Sequence, residues 1–199
     1  ADEGTIPMIA LARDLGCKFL YVATEEPTEE GCFGGRLDNA MRERQEAFVE
    51  AARYADGILH LMPGARINAW YSRYAPSAYA ELGYAEELVY RGPDVEPTFT
   101  FGFYGQMTPR RERILDELRR RSGEGILVLP FIIYSAAERD AEMRRAAVVL
   151  QVRAHDSMET ISSSRCATAL SLGRPVVAEP HAQAAPWDRV VHVSSLIED

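Results

Sequence analysis

The chain predicts an α/β protein of two parallel-sheet halves, the C-terminal half the more regular. Three observations predict it. From Phe99 onward, short apolar runs alternate with helical patterns, the rhythm of β-α-β crossovers and a parallel sheet. Arg91 to Thr98 (RGPDVEPT) carries prolines and a glycine without periodicity and reads as a linker. The residues before it show a looser version of the same helix-to-strand rhythm. This divides the chain into an N-terminal domain over 1–91, a linker over 92–98 and a C-terminal domain over 99–199.

Taken in order, Ile6 to Leu15 is apolar at helical spacing and ends at Gly16, and Cys17 to Thr24 (CKFLYVAT) has the β-branched and aromatic content of a buried strand. Glu25 to Asn39 is a polar, glycine-rich loop, Ala40 to Tyr54 an amphipathic helix, and Gly57 to Met62 (GILHLM) a second short strand. Arg66 to Leu88 is aromatic and helical in parts, with breaks at Pro76 and Gly83. The C-terminal half alternates strand Phe99–Tyr104, helix Pro109–Arg121, strand Gly125–Pro130, helix Ala136–Arg145, strand Ala147–Val152, helix Ile161–Leu172 and strand Pro175–Glu179. Thr108 is placed as an N-cap with Pro109 at the first helical position, and Ile114, Leu115 and Leu118 follow at helical spacing.

Composition excludes several classes. With 199 residues, 47% hydrophobic and 26% charged, the chain is an ordinary globular sequence with enough length to bury a core. Its net charge of −8 repels polyanions, so no nucleic-acid partner is expected, and the run Arg119 to Arg121 closes a helix where cations suit the dipole. Lys18 is the only lysine. Cys17, Cys32 and Cys166 are odd in number and lack Cys-x-x-Cys spacing, which supports neither a disulfide framework nor a thiolate zinc site. A reducing, cytoplasmic setting is expected, since no apolar run approaches the ~20 residues of a membrane span and no signal-peptide pattern opens the chain.

Open parallel sheets bind ligands beyond the carboxyl ends of their strands. The loops to inspect are therefore Gly105–Thr108, Phe131–Ser135, Arg153–Thr160 and Glu179–Ala185. The first runs from a strand through Gly105 and Gln106 into a capped helix, a geometry that suits a diphosphate. Arg110 and Arg111 lie in that helix's first turn, where the dipole disfavours cations unless an anion offsets them. The alternative is a solvated helix end on an arginine-rich chain.

Phe103-Tyr-Gly105 followed by Pro-Arg-Arg, a Val-Val-Leu strand, Glu159 ahead of Ser164-Arg165, and Gly173-Arg-Pro-Val-Val-Ala-Glu179 together resemble the C-terminal nucleotide-sugar domain of GT-B glycosyltransferases. The likeness is to the spore-maturation-type branch, within the family-1-like group. Phe19 to Glu25 and Ala55 to His60 look like strand ends of that family's acceptor-side domain. The resemblance implies two Rossmann-like halves with a donor site in the cleft between them. It implies a nucleoside-diphosphate sugar as co-substrate and no further cofactor. By position, Gly105, Gln106, Arg110, Arg111, Tyr134, Arg165, Thr168 and Glu179 are its donor-site residues, with Arg165 able to meet phosphate bidentately. The commoner pattern frames the helix before Gly-x-Pro-Val with two glutamates, the second of them on ribose; here Thr168 stands at that second position. The chain is also short for such an enzyme, which implies a fragment or a trimmed relative.

Glycosyl transfer requires stabilisation of the departing nucleoside diphosphate and, in inverting enzymes, a general base. No Asp-x-Asp motif appears, so no metal is expected. For the base, His155 and His60 end or follow strands, and a histidine's ordinary pKa of about 6.5 suits the role. His60 alternates with Leu59 and Leu61 and reads first as a hydrogen-bonded strand-end residue. Asp156 and Glu159 flank His155, either orienting it or merely preceding a helix. The acidic run Glu25 to Glu30 defaults to a solvated loop, Gly31 to Gly35 lacks the Lys-Ser/Thr of a P-loop, and Trp70, Tyr71, Tyr74 and Tyr79 read first as core.

Three readings follow: a metal-independent transferase moving a sugar to a glycan, lipid, protein or small-molecule acceptor; a GT-B-like module without chemistry that serves as a scaffold with an oligomeric or partner subunit; and, third, another parallel-sheet nucleotide enzyme such as a nucleoside hydrolase or deoxyribosyltransferase.

Overall fold

The computed structural model describes residues 5–29, 31–35, 39–82, 85–123, 125–130 and 135–195. The chain divides into two compact units, Ala1–Glu81 and Leu82–Asp199. The boundary falls before the proline-rich segment because that segment is strapped to the second unit. Tyr90 N–H donates to Ser171 O at 2.8 Å, Arg174 Nη2 donates to Val95 O at 2.8 Å, and Arg144 Nη2 donates to Pro93 O.

The first unit runs α1 (Thr5–Asp14), β1 (Leu20–Ala23), α2 (Asn39–Ala52), β2 (Gly57–His60), α3 (Ala65–Tyr71) and β3 (Ser77–Tyr79), its strands parallel in the order β1-β2-β3. Sequential order with right-handed crossovers sets α2 and α3 on one face. There Ala23, Ile58, Phe48, Ile67, Trp70 and Tyr71 form the core. Leu20 and Val22 point the other way and are 54% and 55% exposed. β1 begins later than the apolar run suggests because Asp56 holds its approach, accepting from Phe19 N–H at 2.8 Å and donating its own N–H to Phe19 O at 2.8 Å. β3 was not visible in the sequence: Ser-Ala-Tyr has no β-branched residue, and the segment is extended because β2 pairs with it, Ile58 against Ser77.

The second unit runs β4 (Phe99–Gly105), α4 (Pro109–Ser122), β5 (Ile126–Pro130), α5 (Ala136–Met143), β6 (Ala146–Gln151), α6 (Ser163–Ser171), β7 (Val176–Ala178) and β8 (His192–Val193). All pairs are parallel, in the order β5-β4-β6-β7-β8. The alternation read from the sequence is present, with β8 added as a two-residue edge too short to show a pattern. Side chains alternate between two cores. Phe103, Leu150 and Val152 pack against Ile114 and Leu115 of α4, while Tyr104, Val149 and Val176 pack against Met143 of α5 and Cys166 and Ala169 of α6. Helices therefore cover both faces.

The Thr108 cap on α4 is the one read from the sequence, and the structure adds two more. Thr108 Oγ1 accepts from Arg111 N–H, Gly123 ends α4 in the left-handed region, and Ser135 and Glu138 form a capping box on α5. α6 starts at Ser163, later than the apolar spacing suggests, because Ile161 is spent as buried core ahead of it and Thr160 bridges Gln183. Cys17, Cys32 and Cys166 are free thiols, and burial pushes the Cys166 thiol up to about 12, so it stays protonated. Among the described residues no helix is long and apolar enough to cross a membrane.

Gly102 lies in mid-β4 where α5 closes on the sheet. A Cβ there would sit 2.6 Å from Ala146 Cβ and 3.1 Å from Met143 Cε. Gly102→Ala is expected to destabilise the second unit by about 1–3 kcal/mol through overpacking, read as a lower urea midpoint at unchanged slope.

Candidate functional site

The strand order reverses direction at β4: the chain passes outward to β5, then returns to β6 on β4's other side. Such a switch point leaves a crevice beyond the carboxyl ends of the two central strands. The residues that gather there come from the turn after β4, the end of β6, the start of α6 and the segment after β7.

Arg165, in the first turn of α6, is 8% exposed. Its Nε donates to Tyr104 O at 3.0 Å and its Nη1 to Gln151 Oε1. Its guanidinium lies over the rings of Phe103 and Tyr104, 5.4 Å from each centroid. Its Nη2 packs against the turn: Gly105 has φ +141°, and a Cβ there would lie 2.8 Å from that nitrogen. The backbone conformation favours glycine here, and any side chain would also press on the Arg165 guanidinium. Burial draws the Arg165 pKa below its ordinary value, and among the described residues no carboxylate pairs with it. Gln151 is fully buried, and its Nε2 has no hydrogen-bond partner among the described residues.

Arg110 and Glu179 close on each other instead. Arg110 Nη1 and Nη2 donate to Glu179 at 2.9 and 2.7 Å, Arg110 Nη1 also to Arg153 O at 3.0 Å, and its Nε to Asp156 at 2.6 Å. Arg153 N–H adds a 2.6 Å bond to Glu179. The pair holds Arg110 above its ordinary pKa, Glu179 being the main cause, and Arg110 holds Asp156 below its own. Arg111 is buried and structural: its Nε donates to Val152 O at 3.0 Å and its Nη1 to Gln106 O at 2.7 Å. Gln106 itself is exposed. Thr108 Oγ1, besides capping α4, donates to Ala154 O at 2.9 Å.

Of the residues singled out in the sequence, Gly105, Gln106, Arg110, Arg111, Arg165 and Glu179 come together here. His155 and Glu159 lie half-buried in the loop after β6, and Glu159 O accepts from Gln183 N–H at 2.8 Å, joining that loop to the segment after β7. Thr168 lies one turn further along α6, half-buried. Tyr134 lies outside the described residues. His60 belongs to the first unit, where Nδ1 donates to Met62 O at 2.7 Å, Nε2 meets Asn68 Oδ1 at 3.1 Å and the ring stacks on Tyr71. Both its nitrogens are engaged, the strand-end arrangement read first from the sequence.

His181, Gln151 and Arg153 were missed. Gln151 had a signal, a polar residue closing the apolar run Ala146 to Leu150, while His181 had none beyond its place in a loop after a strand. Its Nδ1 donates to Glu179 O at 2.6 Å, which leaves Nε2 as the unprotonated nitrogen, buried and without a hydrogen-bond partner among the described residues. Burial first, then Arg153 and Arg110, lower its pKa to about 4. Among the described residues no group of three His, Cys, Asp or Glu side chains is placed to hold a metal ion.

His181 carries a pH signature. Its folded pKa of about 4 lies below its ordinary 6.5, so between those values the unfolded chain binds the extra proton. The stability of neutral His181 is complete above pH 6.5 and declines toward pH 4, by at most about 1.4 kcal/mol per pH unit. The stability difference between the protein and His181→Gln, measured by urea unfolding, is expected to shrink as pH falls from 7 to 4.

No protein-family model and no curated protein matches the chain. Solved structures do. TarM, a GT-B glycosyltransferase, superposes with a TM-score of 0.51 at 10% identity, over 90% of this chain and 40% of that one. A point mutant of S. aureus TarM in complex with Fondaparinux, alpha-GlcNAc-glycerol and UDP gives 0.52 at 9% identity, over 90% and 41%. The chain thus spans about two-fifths of the length of TarM. The likeness is one of fold: this is a mixed α/β protein with parallel sheets of Rossmann-like, GT-B-like kind.

Proposed function

We propose that the second unit binds the diphosphate of a nucleotide sugar at the carboxyl ends of β4 and β6, and that the chain serves glycosyl transfer to a hydroxyl acceptor without a metal. The observation that carries this is Arg165, a buried cation with no counter-ion among the described residues. Buried charges are normally paired, because an uncompensated one is expensive to desolvate. At a switch point the missing anion is the ligand. The N-terminus of α4 does not supply the site alone, since Thr108 already serves it.

In this reading Arg165, beside Gly105, takes the phosphate, and Gln151 Nε2 and Gln106 offer further polar contacts. Arg110 contributes only by loosening one arm of its pair with Glu179. Leaving-group charge is then met by a fixed, water-poor guanidinium. His155 is the candidate base and Glu159 its orienting or sugar-contacting neighbour. Thr168 and Tyr134 remain donor-side proposals from the resemblance. That the fold resembles a protein solved with UDP supports a uridine donor among those to try first. The closed Arg110–Glu179 pair and Thr168 in place of a carboxylate favour a second reading, a module that binds nucleotide and does no chemistry.

Thermal unfolding with UDP, GDP, ADP, CMP and their sugar conjugates tests this. Ligand at 100 times its Kd adds about 2.7 kcal/mol. One nucleotide family is expected to raise the midpoint, unchanged by EDTA, with affinity at least about tenfold weaker in Arg165→Lys, which keeps the charge and loses the planar fork. A flat panel at millimolar ligand, in protein whose unfolding is cooperative, removes the proposal. Binding without sugar transfer or donor hydrolysis selects the non-catalytic reading.

A further inference from the structure

The pair that closes Arg110 on Glu179 is not a surface ion pair. The two side chains are only 12% and 6% exposed. Three donors converge on the Glu179 carboxylate: Arg110 Nη1 at 2.9 Å, Arg110 Nη2 at 2.7 Å and Arg153 N–H at 2.6 Å. A forked guanidinium with a backbone N–H beside it is a donor set that suits a phosphate, and here a side chain of the same protein fills it.

Arg110 lies in the first turn of α4, just past the turn that carries Gly105, and so at the same carboxyl ends as Arg165. It also donates to Arg153 O and Asp156, which ties the loop after β6 to α4 through one side chain. Glu179 has a second partner at hand. Arg153 already gives it an N–H, and Arg153 Nε is buried and without a hydrogen-bond partner among the described residues. A carboxylate that left Arg110 would stay bound to Arg153, so the exchange strands no buried charge.

We propose that Glu179 is the built-in occupant of an anion seat on Arg110. Without ligand it latches Arg110; a second anionic group on the ligand takes its place, and Glu179 turns to Arg153. The proposal rests on the reading that Arg165 meets the first phosphate, and it adds how access to that site is regulated. A seat already filled lowers the apparent affinity by the fraction of molecules in which it is open, so removing the occupant raises the affinity.

Isothermal titration of the whole chain with inorganic pyrophosphate tests this, each variant first shown to unfold cooperatively in urea. Affinity is expected to rise at least about fivefold in Glu179→Gln, the lower end of ordinary coupling between sites, and the same substitution is expected to give no gain once Arg110→Gln is present. Glu179→Asp keeps the charge but is one methylene too short to hold both Nη atoms, and a smaller rise is expected from it. That variant decides the matter where Glu179→Gln fails to fold. Two results overturn the latch alone, provided Arg165→Lys still weakens binding: affinity unchanged or lower in the Glu179 variants, or a gain that persists in the Arg110→Gln background, as a general charge effect would. Pyrophosphate bound by none of the folded proteins overturns the latch and the diphosphate reading together.

Discussion

The carboxyl ends of the central strands of the second unit are tied together by arginines, and the site depends on those ties. Where a parallel ladder stops, its last carbonyls need other donors. Arg165 serves Tyr104 O at the end of β4, Arg111 serves Val152 O just past β6 and Gln106 O in the turn, and Arg110 serves Arg153 O. Each guanidinium spans two elements with its fixed fork of donors, which a lysine's point charge would not reproduce. The same ties hold the turn after β4 close to α6, where Gly105 combines a positive φ with close approach of the Arg165 guanidinium.

The arginines differ in what balances their charge. Arg110 has Glu179 and Asp156, so its field is largely cancelled inside the protein. Arg165 has carbonyl and amide oxygens and two ring faces, which solvate a cation without neutralising it. Desolvation acts on both, yet only Arg165 is left with a net charge to offer. An arginine keeps its proton even when burial lowers its pKa, so that charge persists at any physiological pH. Side chains of one type in one cluster thus divide into an arginine paired with carboxylates and one held by oxygens and ring faces alone.

How far the sequence showed this depends on range. The elements of the second unit were legible because their signals are local: Thr108-Pro109 opens α4, and short apolar runs alternate with helical spacing along the rest. The cluster members Gly105, Arg110, Arg165 and Glu179 were legible by position and resemblance. Their pairing was not. That Arg110 would spend itself on Glu179, 69 positions further along the sequence, is decided by the parallel register of β6 and β7, which no local pattern carries. β3 was illegible for the same reason, its extension being imposed by β2.

The two units also differ in how completely they bury their sheets. Parallel strands are normally covered on both faces, and β4, β6 and β7 are. In the first unit the register aligns Val22 with Leu59 and Leu59 with Ala78, a row on the side away from α2 and α3, while Met8 and Leu11 of α1 and Leu15 just after it stay exposed. Only one face contributes to its core, so its cohesion rests on the aromatic cluster around Phe48, where Tyr21, Tyr71 and Tyr74 meet that ring edge-on and Trp70 tilts against it. The aromatic packing around Phe48 therefore compensates for a sheet whose core lies on one face.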